Sequence, residues 1–210
     1  MPASEAAKDI VLKATITVDE NDFSGSWTMS IPKYAEKLLA SNATETEKTL
    51  VKDVLAYINS AYLYFNKTTV GVVDEILGTY NGTLDTTTPE TNATVGLKGA
   101  TLVLEATPAV RFYLADNADK SAYTFYVNGE KVEAKEGTDK TGAYLEVSLY
   151  AYKMCETVTY KISGVESGSY HIGEYYEYAK TLENADLTAL VENFWSYCQA
   201  ARAYKLAYQG

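Results

Sequence analysis

Apolar residues alternate with polar ones from the start of the chain. In residues 8–18, Ala14, Ile16 and Val18 take every second position, as the buried side of a half-covered strand does. An acidic turn, Asp19-Glu20-Asn21-Asp22, and Gly25 follow, then a second short strand, Trp27-Thr28-Met29. At Ser30 the period changes. Ser30 can cap a helix, Pro32 suits a first turn where its missing N–H costs nothing, and the pattern predicts a short helix over 31–40. Thr44-Glu45-Thr46-Glu47 reads as a capping box, and Leu50, Val54, Tyr57, Ala61 and Phe65 carry helical spacing to about residue 65.

Residues 66–93 are rich in Thr, Asn and Gly, interrupted by one short helix candidate at Val70–Leu77, and read as a connector. Strands are then predicted at 95–105, 109–114, 122–127, 130–134, 143–151 and 156–163. Asn128-Gly129, between Tyr123–Val127 and Glu130–Val132, supplies the two positive φ angles of a type I′ hairpin turn. A strand pair near 156–163 and 168–172 leads into a helix at 173–182, and Asp186 can cap a last helix over 187–207.

That ending repeats the beginning. Leu50-Val51, Tyr57, Ala61 and Tyr64 recur as Leu190-Val191, Tyr197, Ala201 and Tyr204, displaced by 140. Ile31, Tyr34 and Glu36 recur as Ile172, Tyr175 and Glu177, displaced by 141. At a displacement of 144, Ile10, Ala14, Ile16 and Val18 match Met154, Val158, Tyr160 and Ile162. Self-similarity outranks local signals in assigning a fold. The expected class is α+β: an Ig-like antiparallel β-sandwich with two internally repeated helical hairpins. Residues 1–66 would be the C-terminal part of a first unit, 67–93 the connector and 94–210 a complete second unit, the first lacking its earlier strands.

Composition narrows the function more than it names it. The chain has 210 residues, 47% apolar and 22% charged, which suits a packed globular core. A net charge of -10 argues against nucleic acid and anionic membrane as partners. No apolar run approaches the roughly 20 residues that span a bilayer. Met1-Pro2-Ala3-Ser4-Glu5 lacks the basic and apolar regions of a signal peptide, a pattern an excised fragment would share. The repeat alignment puts Cys155 opposite Val11 and Cys198 opposite Ile58, so two buried free thiols are expected, with a bridge as the alternative.

Candidate chemistry is sparse. His171 is the one histidine, with no nucleophile motif to serve, and reads as a surface or strand-end residue. Gly164-Val165-Glu166-Ser167-Gly168 looks like a nucleophile elbow, but its serine stands one position late. Glu174 with Glu177, and Asp74-Glu75, suit solvated helix faces better than a glycosidase pair. Asp19-Glu20-Asn21-Asp22 and Asp116-Asn117-Ala118-Asp119 could hold calcium weakly but lack EF-hand spacing. Sequons at Asn42, Asn66, Asn81 and Asn92 fit a Thr- and Asn-rich composition. No catalytic, metal or cofactor residue is assigned. Tyrosine is the anomaly, with 19 copies. Alternation sets Val110, Phe112, Leu114, Leu145, Val147 and Leu149 inward and Arg111, Tyr113, Tyr144, Ser148 and Tyr150 outward. The tyrosine face is expected to lie beneath the helices, with Tyr113, Tyr144 and Tyr150 mostly buried.

The segments Leu97-Lys98-Gly99-Ala100-Thr101-Leu102-Val103-Leu104, Arg111-Phe112-Tyr113, Ile31-Pro32-Lys33-Tyr34-Ala35 and Thr49-Leu50-Val51-Lys52-Asp53-Val54-Leu55-Ala56-Tyr57 occur in an order with a known counterpart. In this they resemble an uncharacterised module repeated in large secreted or surface-displayed proteins of gut and rumen Firmicutes. Ile58-Asn59-Ser60-Ala61 and Cys198-Gln199-Ala200-Ala201 replace that module's usual small-residue run. The resemblance implies secretion or cell-surface display and no activity. The expected function is therefore a non-catalytic structural, scaffold or adhesion module, a monomer meeting polysaccharide or another surface protein. The alternative is a carbohydrate-binding module using surface tyrosines.

Overall fold

A computed structural model describes residues 2–82, 84–92, 95–105 and 107–209. The chain is α+β with antiparallel sheets. Strands β1 (Ile10–Val18) and β2 (Asn21–Met29) form a hairpin closed by Asp19 and Glu20, both at positive φ (49° and 66°). Val18 faces Asn21 and Ile10 faces Met29 in this register. One side therefore carries Ile10, Leu12, Ile16, Val18, Phe23 and Trp27, and the other carries Lys13, Thr15, Thr17, Asp22, Ser24 and Ser26. The hairpin pairs with no other strand among the described residues, and all of β1 is exposed.

Helix α1 (Ile31–Leu39) starts where Ser30 Oγ accepts the Lys33 N–H, 3.4 Å away. Helix α2 (Glu45–Asn66) begins with the expected capping box: Thr44 Oγ1 accepts from Glu47 N, and the Glu47 carboxylate accepts from Thr44 N at 2.7 Å. Short helix α3 (Gly71–Leu77) buries Val73 against Ala35 and Leu55.

Two four-stranded sheets follow. One runs in the order β3 (Leu97–Val103), β4 (Ala109–Leu114), β8 (Gly142–Ser148), β7 (Lys135–Asp139). The other is β10 (Val165–Tyr170), β9 (Val158–Ile162), β5 (Tyr123–Val127), β6 (Glu130–Val132). Their inward residues share one core: the Phe112 ring lies 4.7 Å from Phe125 and 5.9 Å from Tyr160. Helix α4 (Ala151–Met154) joins β8 to β9, and α5 (Ile172–Thr181) and α6 (Ala185–Gln209) close the chain. Leu190, Val191, Phe194, Trp195 and Cys198 of α6 enter the same core, as do Tyr57 and Ala61 of α2.

Helices α2 and α6 run antiparallel. Thr44 Oγ1 is 3.2 Å from the Tyr208 hydroxyl at one end, and Lys67 pairs with Asp186 at 3.1 Å at the other. Between them Tyr57 stacks on Tyr197, centroids 6.0 Å apart and planes 12° from parallel.

Several expectations need correction. Residues 67–93 are no slack connector. Tyr80 donates to Asp53 at 2.8 Å, Asp85 and Gln199 exchange two hydrogen bonds, and Asn92 bridges to Ser169 beside β10. A Cβ at Gly168 would collide with the Asn92 carbonyl oxygen and the Tyr160 hydroxyl, so that crossing requires glycine. Asn184, rather than Asp186, caps α6, its side chain accepting from Leu187 N at 3.1 Å. Strand β7 and helix α4 went unforeseen, β7 because Lys135–Asp139 is a polar edge with one glycine and no apolar alternation. The strand match at 144 is also out of register. Met29 and Tyr170 precede the caps Ser30 and His171, and their strand partners are Ile10 and Val158, not Ala14 and Val158. The shift is an even number of residues, so the inward face is unchanged. Cys155, the C-cap of α4, has no likeness to exposed Val11, whereas Cys198 and Ile58 are both buried in helices. Both cysteines are free, and the Cys155 thiol sits 3.5 Å from the Cys198 carbonyl oxygen.

Candidate functional site

The alternation in β4 and β8 sends Tyr113 and Tyr144 outward, as expected, where they meet Asp139, Arg111 and each other. The outer face satisfies itself. Arg111 Nε donates to Glu146 at 2.7 Å while its guanidinium lies 4.6 Å over the Tyr144 ring. Tyr113 donates to Asp139 at 2.8 Å and meets Tyr144 edge-on, 74° between planes. Half-buried, non-coplanar rings of this kind offer a sugar no flat platform. Tyr150 is 72% exposed, so its expected burial is wrong: β8 ends at Ser148 and Tyr150 caps α4 instead.

Tyr150 instead borders the main concavity, a cleft of about 610 Å³ between α1, α2, α4 and α6. Leu50, Val51, Val54 and Ile31 form its floor; Tyr34, Tyr150, Tyr152, Tyr204 and Tyr208 form its rim. Tyr150 and Tyr152 stack at 5.9 Å, nearly parallel at 8°, and the Lys205 ammonium sits 3.6 Å from the Tyr152 ring. The cleft offers aromatic faces, tyrosine hydroxyls and the Lys205 ammonium. The alternation pattern drew attention to the sheet tyrosines alone. The signal for the cleft is the four-residue spacing of Tyr204 and Tyr208 at the end of α6, which sets both rings on one helix face.

His171 is not a surface residue. It is 5% exposed, and it caps α5, where its Nδ1 accepts the Gly173 N–H at 3.1 Å. That contact leaves the proton on Nε2, which donates to the Cys155 carbonyl at 3.1 Å. Glu174 completes the cap by accepting from His171 N. Both ring nitrogens are engaged, and burial holds the imidazole pKa below its usual value despite nearby carboxylates and the Cys155 carbonyl. His171 is thus a buried counterpart of the Ser30 cap.

The remaining acidic candidates serve turns and caps. Asp22 accepts from Thr17, Asp119 from Ser121, and Asp116 pairs with Lys98. Asp74 accepts from Asn59, and Glu177 pairs with Lys180. Ser163 and Gly164, both at positive φ, form a hairpin turn between β9 and β10 rather than a strand-to-helix elbow; the Ser167 side chain lies outside the described set. Thr83, Ala93 and Thr94 likewise lie outside the described residues, and with them parts of the Asn81 and Asn92 sequons and the expected start of the second unit. Asn66 donates to the Ser4 carbonyl.

One carboxylate does stand out. Asp53 on α2 is 1% exposed, holds the Tyr80 hydroxyl on Oδ1, and leaves Oδ2 without a partner. The Ser196 hydroxyl lies nearby, also without a well-formed bond. Burial raises the Asp53 pKa, with Tyr80 and Ser196 opposing. Among the described residues no helix is long and apolar enough to cross a membrane.

Comparison with protein-family models, curated proteins and solved structures finds no match.

Proposed function

We propose that the chain is a non-catalytic structural or adhesion module built from two copies of one unit: an Ig-like sandwich followed by a helical hairpin. One observation carries this reading: matched positions in the two helical hairpins differ in cover. Ile172, Leu190, Val191 and Phe194 are at most 1% exposed, whereas their counterparts Ile31, Leu50, Val51 and Val54 are only half-buried. Tyr175 is half-buried with its hydroxyl against Thr101 of β3; its counterpart Tyr34 is 49% exposed. At these four positions the second hairpin is the more deeply buried, whereas Tyr57 and Ala61 of the first reach the shared core. The pairing of α2 with α6 supports common descent, because matched Tyr57 and Tyr197 meet each other at its centre, as equivalent residues do about a two-fold axis. Placement outside the cell rests on the resemblance in sequence.

Affinity electrophoresis of the full chain through plant and mucin polysaccharides tests the reading. Unretarded migration is expected; specific retardation by a glycan would replace it with carbohydrate binding. That second reading draws on the stacked, exposed Tyr150 beside Tyr152 and Lys205, since aromatic faces stack on sugar rings. On it, Tyr150→Ala would abolish the retardation.

A further inference from the structure

The apolar face of the β1–β2 hairpin is the largest unexplained feature of the molecule. Ile10, Leu12, Ile16, Val18, Phe23 and Trp27 are each 50–64% exposed and share one side of a two-stranded sheet. A lone hairpin is marginal in water, and contiguous apolar surface of this kind marks an interface. We propose that this face and the free edge of β1 are a strand-acceptor site. Its occupant is a β-rich polypeptide of the same design as residues 95–157, supplied from outside these 210 residues.

The occupant is read from the second copy, so the proposal rests on the two-copy reading above. There β9 and β10 hold the position of β1 and β2: each pair runs directly into a capped helix, through Ser30 or His171. The edge of β9 corresponding to the free edge of β1 pairs with β5, Tyr123 facing Ile162 and Val127 facing Val158. Its inward face packs Val158 and Tyr160 against Phe112 and Phe125 of the same core. A partner for β1 must therefore be an antiparallel strand alternating apolar and polar residues, as Tyr123-Thr124-Phe125-Tyr126-Val127 does, with a facing sheet to bury Ile16, Phe23 and Trp27.

The chain of the first hairpin passes through Ser30 into α1, whose Ile31 lines the cleft. Ile31, Leu50 and Val51, which floor the cleft, match Ile172, Leu190 and Val191, which the second copy's sheets bury. The incoming segment would cover both surfaces at once, as residues 95–157 do in the second copy. Among the described residues no other sheet edge has this precedent: β3, β6, β7 and β10 are edges in the very unit that serves as template.

Trp27 reports on the site, because the other tryptophan, Trp195, is already 1% exposed and shielded. A second copy of residues 95–157, fused ahead of Pro2 through a flexible linker, presents the occupant at high effective concentration. Acrylamide quenching of Trp27 is expected to fall at least threefold in this fusion, and Ile16→Lys is expected to restore it. A synthetic peptide of residues 121–134 added to the unfused chain supplies a second measurement should the fused segment fail to fold; it is expected to shield Trp27 saturably, and not when Phe125 is replaced by proline. Trp27 remaining as accessible in both arms as in the native chain overturns the proposal. Shielding that grows with the concentration of the native chain alone gives the face to a second copy and overturns it too. Glycan retardation would remove the structural reading without touching the Trp27 result, so the two failures are distinct.

Discussion

Replacing Asp53 by asparagine should stabilise the protein at neutral pH. Asp53 is a carboxylate buried between α2 and α6 with a single hydrogen bond, from Tyr80, and an unpartnered Oδ2 close to an unpartnered Ser196 Oγ. An unsatisfied buried polar group costs about 1–3 kcal/mol, and more when charged. An asparagine oxygen can keep the Tyr80 bond while its amide donates to Ser196, so one new bond removes two orphans. The expected gain is about 2 kcal/mol at pH 7. For a chain of this size that is roughly 4–8 °C in Tm. The pH dependence has a definite sign. Burial raises the folded-state pKa above the ordinary aspartate value of 3.8, so the folded protein binds the proton more tightly than the unfolded chain. That contribution is fully present below pH 3.8 and is lost as pH rises through the raised folded pKa. The advantage of Asp53→Asn should therefore be near zero at pH 3.5 and grow to a plateau above that pKa. Urea denaturation of both proteins from pH 3.5 to 8 measures it. A variant less stable than the parent at pH 7 would show that the carboxylate anchors Tyr80 favourably and refute the reasoning.

Gly129→Val should cost about 1–2 kcal/mol, because Gly129 sits at φ 77° where a β-branched residue is strained although no neighbour crowds it; an unchanged urea midpoint would contradict this. His171→Ala should cost about 0.5–2 kcal/mol through loss of the α5 cap. The parent should also lose stability as pH falls through the ordinary histidine value of 6.5 toward the lowered folded pKa, since only the unfolded imidazole then binds a proton freely. A variant whose stability falls as steeply as the parent's over that range would exclude His171 as the source. Phe112→Ala should cost about 3–5 kcal/mol, since its ring is fully buried among Phe125, Tyr160 and Tyr170; calorimetry showing less than 1 kcal/mol would mean the two sheets do not share one rigid core.

Elements with a strong local code were legible in the sequence. The Thr44–Glu47 capping box, the Asn128-Gly129 turn and the inward alternation of Val110, Phe112 and Leu114 are each set by a few adjacent residues, and each stands where the pattern put it. Features decided by distant neighbours were not. His171 looked idle because a lone imidazole says nothing of the Gly173 N–H and Cys155 carbonyl that enclose it. Tyr150 was assigned to a strand because alternation continues through Leu149; the chain turns into α4 one residue after Tyr150, and the ring swings to the cleft. The packing of residues 67–93 depends on Tyr80 and Gln199 partners far away in sequence. The cleft is likewise a product of tertiary arrangement, with walls from four separate helices.

The exposed apolar surface of the first hairpin bears directly on how the tyrosines should be read. If the cleft were evolved for a small ligand, its floor need not match any other part of the chain. Ile31, Leu50 and Val51 instead recur in the sequence as Ile172, Leu190 and Val191, which are buried in the core. Burying one such aliphatic side chain is worth about 1.5–3 kcal/mol, so leaving several half-covered beside an uncovered hairpin is a considerable forfeit. On the two-copy reading proposed above, residues suited to sheet packing in one copy would not be retained by chance for water in the other. A cleft that is the imprint of an uncovered sheet-packing surface would then account for the aliphatic floor, the exposed hairpin and the tyrosine rim together. A sugar site explains only the rim.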